Sequence, residues 1–242
     1  MNRHGIPQKL IENRKLIWSL SKNDFKTRFA GSYLGIVWAF VQPVVTVLVY
    51  WFVFQVGLKA GRTNEYPFVV WLVAGLVPWF FFSEALNGGT NALIEYSYLV
   101  KKVVFKISIL PIVKVMSAVF VNAFFILFTL VLCSCYGYTP SLYTIQIIYY
   151  LICNFLLVLG LSYFTAAIVV FFRDLTQIIN ILLQVGMWIT PIMWDAEQML
   201  SPKLLKIFKL NPVYYIVDGF RDSLLAGVGF WEKPMWTVYF WL

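Results

Sequence analysis

Charge is scarce in this chain. Only 12% of its 242 residues are Asp, Glu, Lys or Arg and 61% are hydrophobic, whereas soluble domains carry roughly 25% charged residues. A water-soluble fold of this length has too little interior to hide that much apolar surface, which excludes an ordinary soluble domain. Acidic residues are fewest, 11 against 19 Lys and Arg. Histidine occurs once, as His4 in the polar N-terminal stretch. The three cysteines, Cys133, Cys135 and Cys153, lie in or beside apolar runs without histidine or acidic neighbours. They read as small hydrophobes, not as a disulfide framework or a metal site. No phosphate-cradling loop is present, since "GLKAGRT" at 57–63 has the wrong glycine spacing, and neither H-E-x-x-H nor G-x-S-x-G occurs. No catalytic residue, no metal ligand and no cofactor-binding residue is therefore assigned. Residues 1–32 are polar and basic and contain no apolar signal-peptide core.

What the chain has is long apolar runs. Residues 33–57, 68–86, 107–135, 143–172 and 175–194 each meet or approach the ~20 residues that a ~30 Å hydrocarbon core requires. A further run, "PMWTVYFWL", occupies 234–242 and rises only ~12–14 Å as a helix, so it reads as the start of an incomplete sixth span. The expected fold is all-α and integral to the membrane. It comprises a cytoplasmic interface helix in 1–32, spans one to five in 33–194, a gate-like outer segment in 195–233, and the beginning of span six, all in one domain covering 1–242.

Positive charge sets the orientation. Residues 1–32 carry seven Lys and Arg, and the second–third connection carries Lys101, Lys102 and Lys106, with Lys114 shortly after. The opposite side shows Lys59 and Arg62, none in 136–142, and five spread over 195–233. The N-terminus is expected in the cytoplasm. The net charge of +8 follows membrane edges, where anionic headgroups reward each basic residue by ~1 kcal/mol, and it does not point to nucleic acid.

The connecting segments are informative. Ile11, Trp18, Phe25 and Phe29, beside Leu10 and Ile17, form one helical stripe flanked by Arg14, Lys15, Lys22 and Lys26, as in a helix lying in the membrane interface. Glu84, near the cytoplasmic end of span two, is expected to pair with a basic residue of that helix. In 195–233, Leu204, Leu205, Ile207 and Phe208 are expected to pack on one side, with Lys203, Lys206 and Lys209 on another. Pro202 and Pro212 divide the segment into two short helices that dip into the membrane without crossing. The lysines of 91–106 would each cost roughly 2.5–3.5 kcal/mol at the bilayer centre, so they must reach water or a partner. Leu93, Tyr96, Leu99 and Val103 give that stretch an apolar face. The residues alone leave a docking helix and a solvated, topology-setting loop equally open.

Several stretches resemble one family. "TRFAGSYLGIVWAFVQPVV", "NALIEYSYLVKKVVFKISILPI", "FFRDLTQIINILLQVGMWITPIMW" and "LNPVYYIVDGFRDSLLAG" occur in that order. They are similar to motifs of the permease subunits of type-2 ABC exporters of bacterial polysaccharides, the exporters of O-antigen, capsule and teichoic acid. The resemblance runs from about Arg14 to Trp231, with Leu99, Lys102, Phe105, Leu110 and Pro111 matching in the second stretch. Lys106 departs from it, standing where many relatives carry proline. The resemblance implies a multi-pass permease of the bacterial cytoplasmic membrane, working as a homodimer with two cytoplasmic ATPase subunits that bind the ATP and Mg. The cargo would be a glycan on undecaprenyl diphosphate. Residues 91–106 would be the coupling helix, with Glu95, Leu99, Lys101, Lys102 and Phe105 docking on the ATPase. Lys26 and Arg28 would meet the lipid diphosphate or else serve as lipid anchors, and Gly31-x-x-x-Gly35 offers a small-residue packing face. Aromatics make up 19% of the chain, and Trp51, Trp71, Trp188 and Trp194 stand as residues of the glycan path or of an interfacial belt. The rival readings are a membrane-embedded enzyme or scaffold of cell-envelope glycan synthesis, and an ion-coupled secondary transporter.

Overall fold

The computed structural model describes residues 13–28, 33–57, 66–97 and 107–242. Among them the chain is helical and contains no strand. Among the described residues, four helices are long and apolar enough to cross a membrane: α2 (Gly35–Gly57), α3 (Phe68–Glu95), α4 (Ile107–Cys135) and α5 (Leu142–Val169). Before them lies α1 (Arg14–Thr27). After them come the shorter apolar α6 (Leu175–Ile189), then α7 (Ala196–Met199), α8 (Pro202–Lys209), α9 (Pro212–Arg221) and α10 (Pro234–Trp241). Contacts group the chain into two compact units, Met1–Phe40 with Phe81–Val121 and Phe155–Ile181, and Val41–Phe80 with Asn122–Asn154 and Leu182–Leu242.

In the first unit α1 packs on the start of α4. Ile17 joins Ile109, Ile112 and Val113 in an apolar cluster that Leu20, Met116, Phe155 and Leu159 extend. Phe120 receives Trp18 edge-on at 5.2 Å and Phe25 at 5.8 Å. The buried face of α1 is nonetheless Ile17, Ser21 and Asp24, one position off the expected aromatic stripe, while Trp18 stays more than half exposed. A charged pairing, described below, pulls the helix round. Ile11, Leu10 and Phe29, which complete that stripe, lie outside the described residues.

The second span was expected to end at 86, yet α3 runs on to Glu95. Its 28 residues rise ~42 Å, well beyond the hydrocarbon core. The polar residues that seemed to close the span are paired with other helices. Asn87 donates to Asn180 at 2.7 Å, Thr176 donates to Asn91 at 2.7 Å, and the Thr90 and Thr165 hydroxyls lie 2.8 Å apart. Polar side chains satisfied this way do not need water, so the helix continues.

The second unit holds the segment expected to dip into the membrane. Pro202 and Pro212 stand at the first turn of α8 and α9, where a missing N–H costs nothing. Asn211 caps α9, accepting from the Val213 amide at 3.0 Å and donating to Thr190 at 3.0 Å. Nearly all of α9 is buried, from Val213 to Val217 with Gly219 and Phe220. α8 differs from expectation: of its four apolar residues Leu204 and Ile207 are exposed, and Leu205 and Phe208 are partly covered. It stands on the rim of the unit with too little packing to hide one side. α10 buries no residue and is tied by polar groups. Thr237 meets the Tyr215 hydroxyl at 2.9 Å, Tyr239 donates to the Leu210 carbonyl at 3.0 Å, and Trp241 donates to the Tyr149 hydroxyl at 2.9 Å.

Gly219 explains how α9 can sit so deep, because a Cβ there would run into the Tyr150 ring. Gly219→Ala is expected to lower stability by about 1–3 kcal/mol through overpacking. Gly160→Ala in α5, where a Cβ meets open space, should raise it by ~0.5–1 kcal/mol. Thermal unfolding of the two purified variants in one detergent checks the opposite signs.

Candidate functional site

Two polar clusters stand out, one in each unit. In the first, Asp24 is almost fully buried on the inner face of α1, one helical turn before Arg28. Its carboxylate accepts from Lys114 of α4 at 2.6 Å and from the Tyr96 hydroxyl at 2.6 Å. Lys114, itself buried, also pairs with Glu95 at 2.5 Å and lies 5.1 Å from the centre of the Tyr96 ring. Arg28 pairs with Glu84 of α3, lies 3.5 Å from Asp24, and donates to Ser117 at 3.5 Å. The pairing expected of Glu84 with a basic residue of the interface segment is therefore present, with Arg28. Burial alone would raise the Asp24 pKa. The hydrogen bonds from Lys114 and Tyr96 and the lysine's charge outweigh that and hold it below its ordinary 3.8.

The second cluster is centred on Arg221 at the end of α9. The expected fifth span ran to 194, but α6 ends at Ile189. Pro191 cannot donate into the helix and clashes with its preceding turn, so regular structure stops. The carbonyls this frees are taken by the Arg221 guanidinium, at 2.9 Å to Pro191 and 2.8 Å to Ile192, with a longer 3.4 Å contact to Trp71. The guanidinium also lies 3.4 Å above the Trp71 ring, a cation–π arrangement. Burial brings Arg221 down to about 10, with Asp218 acting against the shift, and it remains charged at neutral pH. Nearby, Lys233 bridges Asp218 at 2.9 Å and Asp222 at 2.5 Å. Burial, then the charge of Asp218, raise the Asp222 pKa, and Lys233 only partly counters them.

Residues 15–225 match the profile of the ABC-2 type transporter family. The chain belongs to that family. It is similar to the O-antigen export system permease protein RfbA of Myxococcus xanthus, 29% identical over 89% of this chain and 82% of that protein. It is also similar to two proteins of the same name from Klebsiella pneumoniae. One is 27% identical over 88% of this chain and 81% of its own length, and the other 26% identical over 88% and 81%. As an ABC-2 transporter chain it is a multi-pass membrane protein and a transport subunit, and the matched region takes in everything from α1 to the turn after α9.

Of the residues singled out by sequence, Leu99, Lys101, Lys102 and Phe105 lie outside the described residues. Glu95 is the last residue of α3, half exposed and paired with Lys114. Lys26 is exposed on the last turn of α1, and Arg28 is committed to Glu84 and Asp24. Trp188 is 56% exposed, Trp71 is 7% exposed beneath Arg221, and Trp51 is partly buried. Trp194, also partly buried, donates to the Trp188 carbonyl at 3.0 Å and meets Phe208 edge-on at 5.7 Å. Sequence reasoning missed Asp24, Lys114 as a paired group, and Arg221. Lys114 was visible as an ionisable side chain inside an apolar run, itself a sign of function. Nothing in the sequence marked Asp24 as buried.

Arg221→Ala leaves two carbonyls without their donor and should cost about 2–6 kcal/mol, at ~1–3 kcal/mol per unsatisfied buried group. Arg221→Lys, without the planar fork, should recover only a minor part; thermal unfolding in detergent measures both. For Asp24 the depressed folded-state pKa gives a stabilisation fully present above its ordinary 3.8 and lost as pH falls through the lower folded value. The stability gap between wild type and Asp24→Asn should therefore stay constant from neutral pH down to about pH 5 and close only in stronger acid.

Proposed function

We propose that this chain is the membrane-spanning subunit of an ATP-driven exporter that moves a lipid-linked polysaccharide of the O-antigen, capsule or teichoic-acid kind across the bacterial cytoplasmic membrane. The observation that carries this reading is a match to O-antigen export permeases over more than four-fifths of both chains, together with the ABC-2 family assignment. Two copies would assemble with two cytoplasmic ATPase subunits that bind ATP and Mg, closed two-fold symmetry being the usual solution for such pairs. The positive-inside bias supports a cytoplasmic N-terminus, with α1 and residues 98–106 on that side. The segment after Glu95, with Leu99, Lys101, Lys102 and Phe105, docks on the ATPase. Exposed Lys26 meets the undecaprenyl diphosphate, whereas Arg28 stays engaged with Glu84 and Asp24. Of the four tryptophans, Trp188 is the best suited to stack on passing sugar rings, because its face is open. Trp71 carries Arg221 and serves the fold. An ion-coupled carrier needs an embedded carboxylate at liberty to exchange its cation, and Glu84 is held by Arg28.

Reconstitution of the chain with its ATPase in vesicles loaded with lipid-linked glycan tests the reading. The chain alone should hydrolyse no ATP, and the complex should hydrolyse ATP and move glycan. Joint replacement of Leu99, Lys102 and Phe105 by alanine should abolish co-purification of the ATPase with the spans still inserted. Trp188→Ala should lower export several-fold with assembly intact, and Trp71→Ala should lower stability first. A complex that turns over ATP with no movement of glycan would rule the proposed cargo out.

A further inference from the structure

The cluster around Lys114 has a geometry that simple anchoring of α1 does not require. Apolar contacts already hold α1 on α4, through Ile17 in its cluster and through Trp18 and Phe25 around Phe120. A buried ion pair adds little net stability compared with apolar packing of the same volume, because both charges must be desolvated. What it supplies is a fixed geometry. Here Lys114 is shared between two carboxylates on different elements, Asp24 of α1 and Glu95 at the end of α3. Tyr96, the next residue, donates to the same Asp24 carboxylate. The last turn of α3 is thus gripped from two sides, through Glu95 by Lys114 and through Tyr96 by Asp24. Residues 98–106 follow directly.

We propose that Lys114 is a positioning residue that makes α1, the end of α3 and the start of α4 one lever, so that a push delivered on the segment after Tyr96 displaces the interface helix. The proposal rests on the exporter reading given above, in which that segment receives the ATPase. The charges suit a lever better than a hinge. Asp24 and Lys114 are both buried, so pulling α1 off α4 would strand a charge in a low-dielectric site, and Glu95 ties the end of α3 to the same lysine. Arg28 extends the same lever to Glu84, about three helical turns before Glu95 on α3.

The experiment uses the complete complex with its ATPase in vesicles. Lys114→Met keeps the stem and removes the charge. It should leave ATPase co-purification and basal ATP hydrolysis at wild-type levels and lower glycan export per ATP hydrolysed at least ten-fold. Lys114→Arg should restore more than half of that ratio, which a loss of mere packing would not allow. In a second variant, with Cys133, Cys135 and Cys153 replaced by alanine, W18C and F120C are bridged by a short bis-thiosulfonate reagent. Bridging should leave export unchanged relative to the unbridged variant, because the two elements travel together. Normal coupling in Lys114→Met overturns the lever, as does failure of Lys114→Arg to restore it. Export blocked by the bridge and recovered on reduction also overturns it, and this arm decides alone if Lys114→Met fails to insert. Wild-type complex that moves no lipid-linked glycan in the same vesicles overturns the exporter reading itself, and the lever with it.

Discussion

A backbone carbonyl released from a helix and buried away from water must find another donor. Much of the second unit follows from the way this chain meets that demand. Pro191 ends α6 early and frees carbonyls at Pro191 and Ile192, and the Arg221 fork takes both. To reach them Arg221 must lie deep, which needs a flat cover, and Trp71 provides it. It also needs space, and at Gly75 a Cβ would press on the guanidinium. α9 delivers the arginine by sinking almost wholly into the unit, and the bare backbone at Gly219 lets it pass Tyr150. In α3, buried Asn154 likewise donates to a backbone carbonyl, that of Pro78, at 2.9 Å.

The first unit solves a different problem, that of fixing a helix which does not cross the membrane. Apolar packing alone would let α1 rotate or slide, since one greasy face fits another in many ways. Asp24, Lys114, Glu95, Tyr96 and the Arg28–Glu84 pair admit one arrangement. The demand is strong enough to turn α1 away from its most hydrophobic face, leaving Trp18 largely exposed while an aspartate goes inside. Direction, not strength, is what the charges contribute.

How much of this was legible beforehand varied with the kind of signal. The long spans were readable because twenty apolar residues in a row have few other uses, and the partner of Glu84 was readable because an isolated carboxylate at that depth is costly. Boundaries were less so. The end of α3 looked like a loop because Asn87, Thr90 and Asn91 are polar, and their partners Asn180, Thr165 and Thr176 lie 75 or more residues away in sequence. The end of α6 looked like membrane because Ile192, Met193 and Trp194 are apolar, although Pro191 had already broken the helix. Arg221 could not be assigned its role, since the carbonyls that define it belong to a break 29 and 30 residues upstream.

α10 is an apolar helix held by polar teeth. None of its residues is buried, while Thr237, Tyr239 and Trp241 each reach a named oxygen on another element. A greasy cylinder set against lipid and other helices can creep along its axis at almost no cost, because methyl groups are interchangeable. Here a slip of one residue carries all three groups out of reach together. Seating is consequently all-or-none, like a key whose cuts must lift every pin at once, and a chain that tolerates many apolar exchanges along this helix would tolerate no shift in its phase.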